Sequence, residues 1–257
     1  MEQRYSLDDV ISREALANAL ATFRNPHYQR HNRRRQEHLA SLDLDLQGKT
    51  VLELGAGIGD HTKFFLDRDC KVVSVEPRAE NCYLFAQTMS TLVQAGYKKG
   101  LNSKLVRGSV ESLDRILQGN FAIVYCYGLL YHVADPEAVL ELLARYCSGL
   151  FLLETCVSLG DHEAINPIAE PQADPSQSLQ GTGCRPSRRW IFDHLKKLFA
   201  HVYVPRTQPA HEEFPLDWTA PVQTSGYTRA IFVGARASLE NPLLLTDLPD
   251  HQTVLMS

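Results

Sequence analysis

Hydrophobic and polar positions along the chain repeat in two ways, one typical of buried strands and one typical of amphipathic helices. The short apolar runs that predict strands lie at 50–54, 71–76, 104–107, 121–126 and 149–154. The helix-period segments between them lie at about 59–67, 79–96 and 136–147. Because strands and helices alternate over this length, the pattern predicts an α/β fold with a doubly wound, mostly parallel sheet.

The flanking segments predict how the rest of the chain is organised. The pattern divides the chain into N-terminal helices at 1–47, a core at 48–236 and a C-terminal tail at 237–257. Within the core, the stretch at about 157–189 is punctuated by Pro and Gly and loses its periodicity, which predicts a functional loop over the strand ends. Apolar runs at 202–204 and 227–233 complete a seven-stranded sheet with an antiparallel C-terminal edge strand.

The composition suits one α/β domain, with 257 residues, 44% of them hydrophobic and 22% charged. A net charge of −4 gives no general attraction to nucleic acid or to anionic membranes. No apolar stretch is long enough for a membrane span, and the N-terminus lacks the form of a secretion signal, so we expect a cytoplasmic protein. The six cysteines form no C-x-x-C pair and are expected to be reduced.

A glycine-rich turn follows the first predicted strand. Glycines stand at Gly55, Gly57 and Gly59, and an acid, Glu53, precedes them by two residues. Glycines at such a turn let the backbone pass close to a ligand, and the helix that follows directs its positive end toward the same space. The dinucleotide fingerprint would need a glycine in the sixth place, where this chain has Asp60.

An acidic residue, Glu76, ends the second predicted strand, 21 residues after Gly55. A carboxylate there can accept hydrogen bonds from both hydroxyls of a ribose. The glycine turn and this acid together predict a site for a cofactor that contains a nucleoside.

The Glu-x-Gly-x-Gly-x-Gly pattern resembles the first motif of the class I S-adenosylmethionine-dependent methyltransferases. Segment 107–111 resembles the motif that grips adenine, although that motif usually has Asp where Ser109 stands. Segment 128–132 reads Gly-x-Leu-Tyr-His, which is similar to the fourth motif of several of these enzymes. The resemblance covers residues 48–155 and implies a Rossmann-like methyltransferase fold with S-adenosyl-L-methionine as its cofactor. It implies cofactor contacts by Glu53, Gly55, Ala56, Gly57, Gly59, Glu76, Pro77, Ser109, Val110, Tyr127 and Gly128.

The N-terminal helices of many such enzymes pack over the cofactor. The resemblance therefore implies that Tyr28, His31, Arg34 or Arg35 reaches the cofactor carboxylate or gates the pocket, and we assign Arg34 to the cofactor site. The five arginines between 24 and 35 are alternatively a solvated helix face or a contact for RNA phosphates.

Two residues are candidates for the chemistry of methyl transfer. His132 follows the fourth predicted strand, where an imidazole can take a proton from an acceptor hydroxyl. Glu154 ends the fifth strand and is expected to face the same cleft, where it would pair with His132 or bind substrate. The alternatives are a histidine bonded to backbone and an acid bonded to its neighbouring loop.

Candidate substrate contacts come from the later part of the chain. Arginines bind carboxylate or phosphate, and the residues predicted to contact a polar substrate are Arg185, Arg188, Arg189, His211 and Glu212. The alternative is a solvated loop with Ser187 capping the next helix. Residue types that bind metals occur at 161–162 and 211–213, but no spacing requires a metal, so none is predicted.

These observations favour an S-adenosylmethionine-dependent methyltransferase that methylates an oxygen of a small polar or carbohydrate-type acceptor. One alternative is a methyltransferase that modifies tRNA or another RNA, and another is a catalytically silent partner subunit that binds the cofactor. A polyamine synthase of the same fold would need an Asp-x-x-Asp loop where this chain has segment 128–132. The sequence carries no signal for an oligomeric state.

Overall fold

The computed structural model describes residues 11–158, 162, 164–219 and 227–254. The start of the predicted N-terminal segment, at 1–10, and Asp161 lie outside the described residues. The helices are α1 (Arg13–Arg24), α2 (Pro26–Ser41), α3 (Thr62–Leu66), α4 (Ala79–Gln94), α5 (Leu113–Ile116), α6 (Pro136–Tyr146) and α7 (Arg188–Leu198). The longer strands are β1 (Thr50–Leu54), β2 (Lys71–Glu76), β3 (Ser103–Arg107), β4 (Phe121–Tyr127), β5 (Cys147–Cys156), β8 (His201–Pro205) and β10 (Arg229–Ala235). The short strands are β6 (Pro167–Ala169), β7 (Thr182–Cys184), β9 (Thr207–Gln208), β11 (Leu244–Leu245) and β12 (Thr253–Val254).

The central sheet has the order β11-β8-β10-β5-β4-β1-β2-β3. The five neighbouring strands β3, β2, β1, β4 and β5 pair in parallel. In contrast, β10 runs antiparallel to both β5 and β8. The predicted α/β fold with a mostly parallel sheet is confirmed. The short β11 adds an eighth strand, antiparallel to β8, at one edge. It comes from residues predicted as a tail, and two residues are too few to show an alternating pattern.

Hydrophobic residues fill the space on both faces of the sheet. Successive side chains of β5 point to opposite faces, so Phe151 and Leu153 join the cluster beneath α6 and α7, whereas Leu152 joins the cluster beneath α2 and α3. All three side chains are fully buried. This two-faced burial explains why the strands read as continuous apolar runs.

The glycine turn after β1 requires backbone conformations that side chains disfavour. Gly57 and Gly59 have φ angles of +54° and +88°. A Cβ at Gly59 would lie 2.8 Å from Phe85, and one at Gly57 would lie 3.1 Å from Phe23. Glycine therefore allows α1 and α4 to approach the turn closely.

The N-terminal helices pack against the end of the sheet where the glycine turn lies. Arg24, at the end of α1, forms an ion pair with Asp60 at 2.8 Å. His38 of α2 lies 2.9 Å from the carbonyl oxygen of Thr207, which ties this helix to β9. No helix in the described part of the chain is long and apolar enough to cross a membrane.

Candidate active site

A cavity opens at the carboxyl ends of β1, β2 and β4, where the parallel strands direct their following loops. The N-terminal helices, the loop between β6 and β7, and the start of β10 complete its wall. Residues that line it include Phe23, His27, Tyr28, His31, Arg35, Gly55, Gly57, Glu76, Pro77, Ser109, Val110, Tyr127, Gly128, Tyr131, His132, Ser178, Glu213 and Arg229.

Glu76, at the end of β2, organises one part of this wall. The backbone amide of Gly57 donates to its Oε2 at 2.9 Å, and the side-chain amide of Asn81 donates to its Oε1 at 3.1 Å. Burial raises the pKa of the Glu76 carboxyl to about 7 despite these hydrogen bonds. The other amide atom of Asn81, Oδ1, is buried without a hydrogen-bond partner among the described residues. This part of the wall therefore retains polar groups that a ligand can use.

The loop between β6 and β7 covers the same part of the cavity. Arg78, next to Glu76, donates to the carbonyl oxygens of Gln172 and Gln177 at 2.9 and 3.2 Å. Asn81 also donates to the carbonyl oxygen of Pro175 at 3.3 Å. The central part of the stretch predicted as a functional loop thus lines the cavity and is held by the residues that surround Glu76.

The loops after β3 and β4 place the next predicted residues on the wall. Ser109 and Val110 both line the cavity, and Val110 begins a short 3₁₀ helix. Tyr127 and Gly128 also line it. The amide of Gly128, which has a φ of +80°, donates to the carbonyl oxygen of Glu154 at 3.0 Å, which ties the turn after β4 to β5.

His132 forms a buried pair with Glu170, which lies in the loop after β6. The Nδ1 atom of His132 lies 2.6 Å from Oε2 of Glu170, and Arg185 lies 3.2 Å from the other carboxylate oxygen. The Nε2 atom of His132 is buried and has no hydrogen-bond partner among the described residues. Burial lowers the pKa of His132, although Glu170 opposes this shift. The ring is therefore neutral at pH 7, with its proton held on Nδ1 by the carboxylate and a lone pair on Nε2.

Glu154 lies at the centre of a buried ion-pair network. Arg35 of α2 and Arg229 of β10 donate to its two oxygens at 2.8 and 2.9 Å. Arg229 also pairs with Glu213 and donates to the hydroxyl of Tyr131 at 3.2 Å. Burial alone would raise the pKa of Glu154, but the two arginines outweigh it and lower the pKa. A carboxylate held in this way is a weak proton acceptor, which opposes the predicted catalytic role and the predicted pairing with His132.

Glu53 lies beneath the glycine turn rather than on the wall of the main cavity. Its Oε2 accepts hydrogen bonds from the hydroxyls of Thr62 and Ser74, at 2.6 and 2.7 Å. Burial raises the pKa of Glu53 to about 7. These hydrogen bonds tie β1 to the start of α3 and to β2, whereas the resemblance implies a cofactor contact by Glu53. Glu53 and Ala56 line a smaller neighbouring cavity.

Two other residues assigned to the cofactor site lie elsewhere. Gly59 packs its backbone against Phe85 and is not on the wall of the main cavity. Arg34 is partly exposed and pairs with Glu37 of the same helix at 2.8 Å. The next residue, Arg35, faces inward and lines the cavity, because consecutive helix positions differ by about 100° in direction.

The three predicted substrate arginines take different positions. Arg185 lies beside the cavity, with its guanidinium 5.0 Å from the ring of Tyr131. Arg188 is buried at the start of α7, where it donates to the carbonyl oxygen of Pro249 and stacks on Trp218. Arg189 is partly exposed and lies 3.9 Å from Asp193, one turn along α7. Neither Arg188 nor Arg189 lines the cavity, and Ser187 caps α7 as the alternative interpretation expected.

His211 and Glu212 lie behind the cavity wall. Glu212 is exposed and pairs with Arg30. His211 is buried, with its ring centroid 4.8 Å from that of His31, which does line the cavity. The sequence did not single out Glu170, Arg229 or Glu213 for this site. Arg229 carried a signal as a charged residue at the start of an apolar strand, and Glu213 belongs to the metal-binding residue types at 211–213.

The family model described as a methyltransferase domain matches residues 26–211 of the chain. No curated protein matches the chain. Among solved structures, the chain is similar to the N-terminal domain of EvdMO1 crystallised in the presence of SAH and D-fucose, at 23% identity and a TM-score of 0.58. That likeness covers 82% of this chain and 84% of the other.

Two further structures share the fold. Magnesium protoporphyrin IX methyltransferase (ChlM) from Synechocystis PCC 6803 with bound SAH is 14% identical, with a TM-score of 0.60 over 88% of this chain and 95% of that one. The glycopeptide N-methyltransferase MtfA complexed with S-adenosyl-L-methionine is 16% identical, with a TM-score of 0.51 over 79% of this chain and 86% of that one. At these identities the likeness concerns the fold.

Proposed function

This chain belongs to the methyltransferase domain family, and from that premise we propose that it is an S-adenosylmethionine-dependent O-methyltransferase of a small polar or carbohydrate-type acceptor. The observation that carries the choice of an oxygen acceptor is the pair formed by His132 and Glu170. A hydroxyl must lose its proton when it is methylated, and His132, whose Nε2 has no hydrogen-bond partner among the described residues, lines the cavity.

The residues around the glycine turn suit the cofactor. Gly55 and Gly57 would bring their backbone close to its amino acid part, and Glu76 would accept hydrogen bonds from its ribose hydroxyls. Ser109 and Val110 would contact the adenine. The unpartnered Oδ1 of Asn81 adds an acceptor beside Glu76. When bound, the cofactor supplies an electrophilic methyl group. The chain's own residues need only align the acceptor with it and exclude water.

His132 performs the proton transfer in this mechanism. Glu170 holds the ring proton on Nδ1, which leaves the lone pair on Nε2 for the acceptor hydroxyl. Because burial lowers the pKa of His132, the ring is ready to accept a proton at neutral pH. Glu170 then lies close enough to stabilise the charge that His132 gains, and Arg185 keeps Glu170 in place by binding its other oxygen.

The acceptor side of the cavity is polar and partly aromatic, which suits a sugar. His31 presents a buried Nε2 without a hydrogen-bond partner in the described part of the chain, and Glu213 and Arg229 lie beside it. Tyr131 and Tyr227 also line the cavity, with the guanidinium groups of Arg185 and Arg229 beside their rings. The similarity to an EvdMO1 domain crystallised in the presence of D-fucose agrees with this class of acceptor.

The contacts made by the N-terminal arginines weaken the RNA alternative. Arg24, Arg30 and Arg34 pair with acids on the surface, and Arg35 pairs with Glu154 in the interior. Arginines already paired with carboxylates contribute less to phosphate binding. The pair formed by His132 and Glu170 argues against a catalytically silent subunit, because such a subunit would not need a proton acceptor.

Two measurements test the proposal together. Calorimetry with S-adenosylmethionine measures cofactor binding, and a donor with a labelled methyl group measures transfer to a panel of monosaccharides, amines and tRNA. We expect binding and a product whose labelled carbon is bonded to oxygen, identified by its NMR shift. Binding without transfer to any hydroxylated acceptor, or transfer to nitrogen or to tRNA alone, would overturn the proposal.

A further inference from the structure

Three histidines and a glutamate gather where α2 meets the segment after β9. His27 and His31 lie one turn apart on α2, and His211 and Glu213 lie in the segment that packs against them. The Nε2 atom of His27 lies 3.2 Å from Oε1 of Glu213. The ring centroids of His27 and His211 are 5.2 Å apart. Residues distant in sequence thus present their polar atoms to a common point.

Three of these residues have the composition and spacing of a metal-ligand set. One ligand atom from each of His27, His211 and Glu213 lies within 4.8 Å of the other two. Ligands bound tetrahedrally to zinc at 2.0–2.1 Å are about 3.3 Å from one another. The 3.2 Å between His27 and Glu213 already matches that spacing.

Nitrogens without a hydrogen bond provide the second observation, each with a carboxylate oxygen 3.7 Å away. The Nε2 atoms of His211 and His31 are both buried, and neither has a hydrogen-bond partner among the residues that the structure describes. Such an atom is costly to bury unless something binds it. The amide of Glu213 lies 3.3 Å from Nδ1 of His211, a long hydrogen bond. Binding of a metal at Nε2 would move the ring proton to Nδ1 and give up that bond.

The charges around the cluster are largely neutralised by arginines. Arg229 holds Oε2 of Glu213, so Oε1 is the oxygen left to bind a metal. Arg30 pairs with Glu212, the exposed acid beside the cluster.

We propose that His27, His211 and Glu213 form a binding site for one divalent transition-metal ion of the zinc class. Two imidazoles and one carboxylate favour zinc and its neighbours over magnesium or calcium, which prefer oxygen ligands alone. His27 and Glu213 line the main cavity, so the ion would lie on its wall and tie α2 to the segment after β9. The site depends neither on the cofactor nor on the identity of the acceptor.

The experiment measures zinc binding directly, without donor or acceptor. Chelator-treated full-length protein is dialysed against micromolar zinc, and bound metal is counted by mass spectrometry. We expect one zinc per chain, and at least a tenfold weaker affinity in His27→Ala and in His211→Ala. Zinc should also raise the melting temperature of the wild type but not that of His27→Ala. Because His27 is more than half exposed, its variant is expected to fold.

Two control variants locate the ion. His251→Ala removes an exposed histidine far from the cluster in sequence and should leave binding unchanged. In the described part of the chain, a second group of residues that could hold a metal is formed by Glu137, Glu141 and His194. Glu137→Gln removes one of them and should also leave zinc binding unchanged. Absence of stoichiometric zinc in the wild type would overturn the proposal. Zinc that persists in both His27→Ala and His211→Ala, or that is lost in Glu137→Gln, would overturn it equally.

Discussion

The Nδ1 atom of His132 and the Oε2 atom of Glu170 lie 2.6 Å apart, although 38 residues separate the two along the chain. Glu170 also accepts a hydrogen bond from the amide of Ser178, within the loop that lines the cavity. The carboxylate therefore connects the proposed base to the loop that covers the cavity, and order in the loop and orientation of the imidazole depend on one another.

Replacing His132 with Gln should lower kcat by about 10²- to 10⁴-fold, the usual contribution of a general base. The affinity for S-adenosylmethionine should change little, because His132 makes none of the hydrogen bonds that hold Glu76. Glu170→Gln should cause a smaller loss, since the amide can still contact the ring but no longer holds a charge beside it. Steady-state kinetics with calorimetry separates the two effects. A kcat that survives His132→Gln would exclude its role as base.

The pH dependence of kcat gives an independent test of His132. Burial lowers the pKa of its ring below 6.5, so the neutral, active form persists as the pH falls through that value. The rate should therefore remain level from pH 8 to pH 6.5 and decline only below it. This acid limb should disappear in His132→Gln. A limb centred above pH 7 would contradict a buried, neutral imidazole.

Glu76→Ala should weaken S-adenosylmethionine binding by at least about 10- to 100-fold, because even one hydrogen bond to a carboxylate is worth about 1.5–3 kcal/mol. The variant also frees the amides of Gly57 and Arg78, which Glu76 holds in the free protein. Calorimetry measures the change. Glu137→Gln, at a site on α6 with a half-exposed side chain, is the control and should bind like the wild type. Equal affinity in Glu76→Ala would show that the ribose is held elsewhere.

The glycine turn and Glu76 could be predicted from the sequence because each is a local pattern, with a strand followed by glycines or by an acid. Arg35 could not be distinguished from Arg34, since only the rotation of α2 against the sheet decides which one faces inward. Glu170 lies in a loop without periodicity, and its partner His132 lies in the loop after β4. Such contacts between distant segments leave no trace in local spacing, and the same is true of His27 beside His211.

Glu154→Ala should destabilise the fold by about 3–5 kcal/mol, the usual result of removing one partner from a buried ion pair. It would leave Arg35 and one nitrogen of Arg229 without their acid, although both are almost fully buried. Urea unfolding measures the change. Glu37→Ala, which removes only the exposed partner of Arg34, should cost less than about 1 kcal/mol. Similar losses in both variants would contradict a buried network.

Glu53→Gln should change how stability depends on pH, because burial raises the pKa of this carboxyl to about 7 from an ordinary value of 4.5. Between these two pH values the folded protein holds the proton while the unfolded chain has released it. The free energy of unfolding therefore falls as the pH rises through that window, by about 3 kcal/mol for such a shift. Gln carries no charge and does not cause this loss. The free energy of unfolding of the variant should therefore rise relative to that of the wild type from pH 5 to pH 8.

Comparison with the wild type at each pH removes the contributions of the other titrating groups, which both proteins share. Titration of Glu76 also lowers the free energy of unfolding as the pH rises, whereas titration of the buried histidines lowers it as the pH falls below 6.5. Urea unfolding at pH 5, 6, 7 and 8 supplies the two curves. They should approach or cross as the pH rises, since Gln keeps the contact with Thr62 or Ser74 without a buried charge. Parallel curves would mean that Glu53 titrates at the same pH in the folded and unfolded chains.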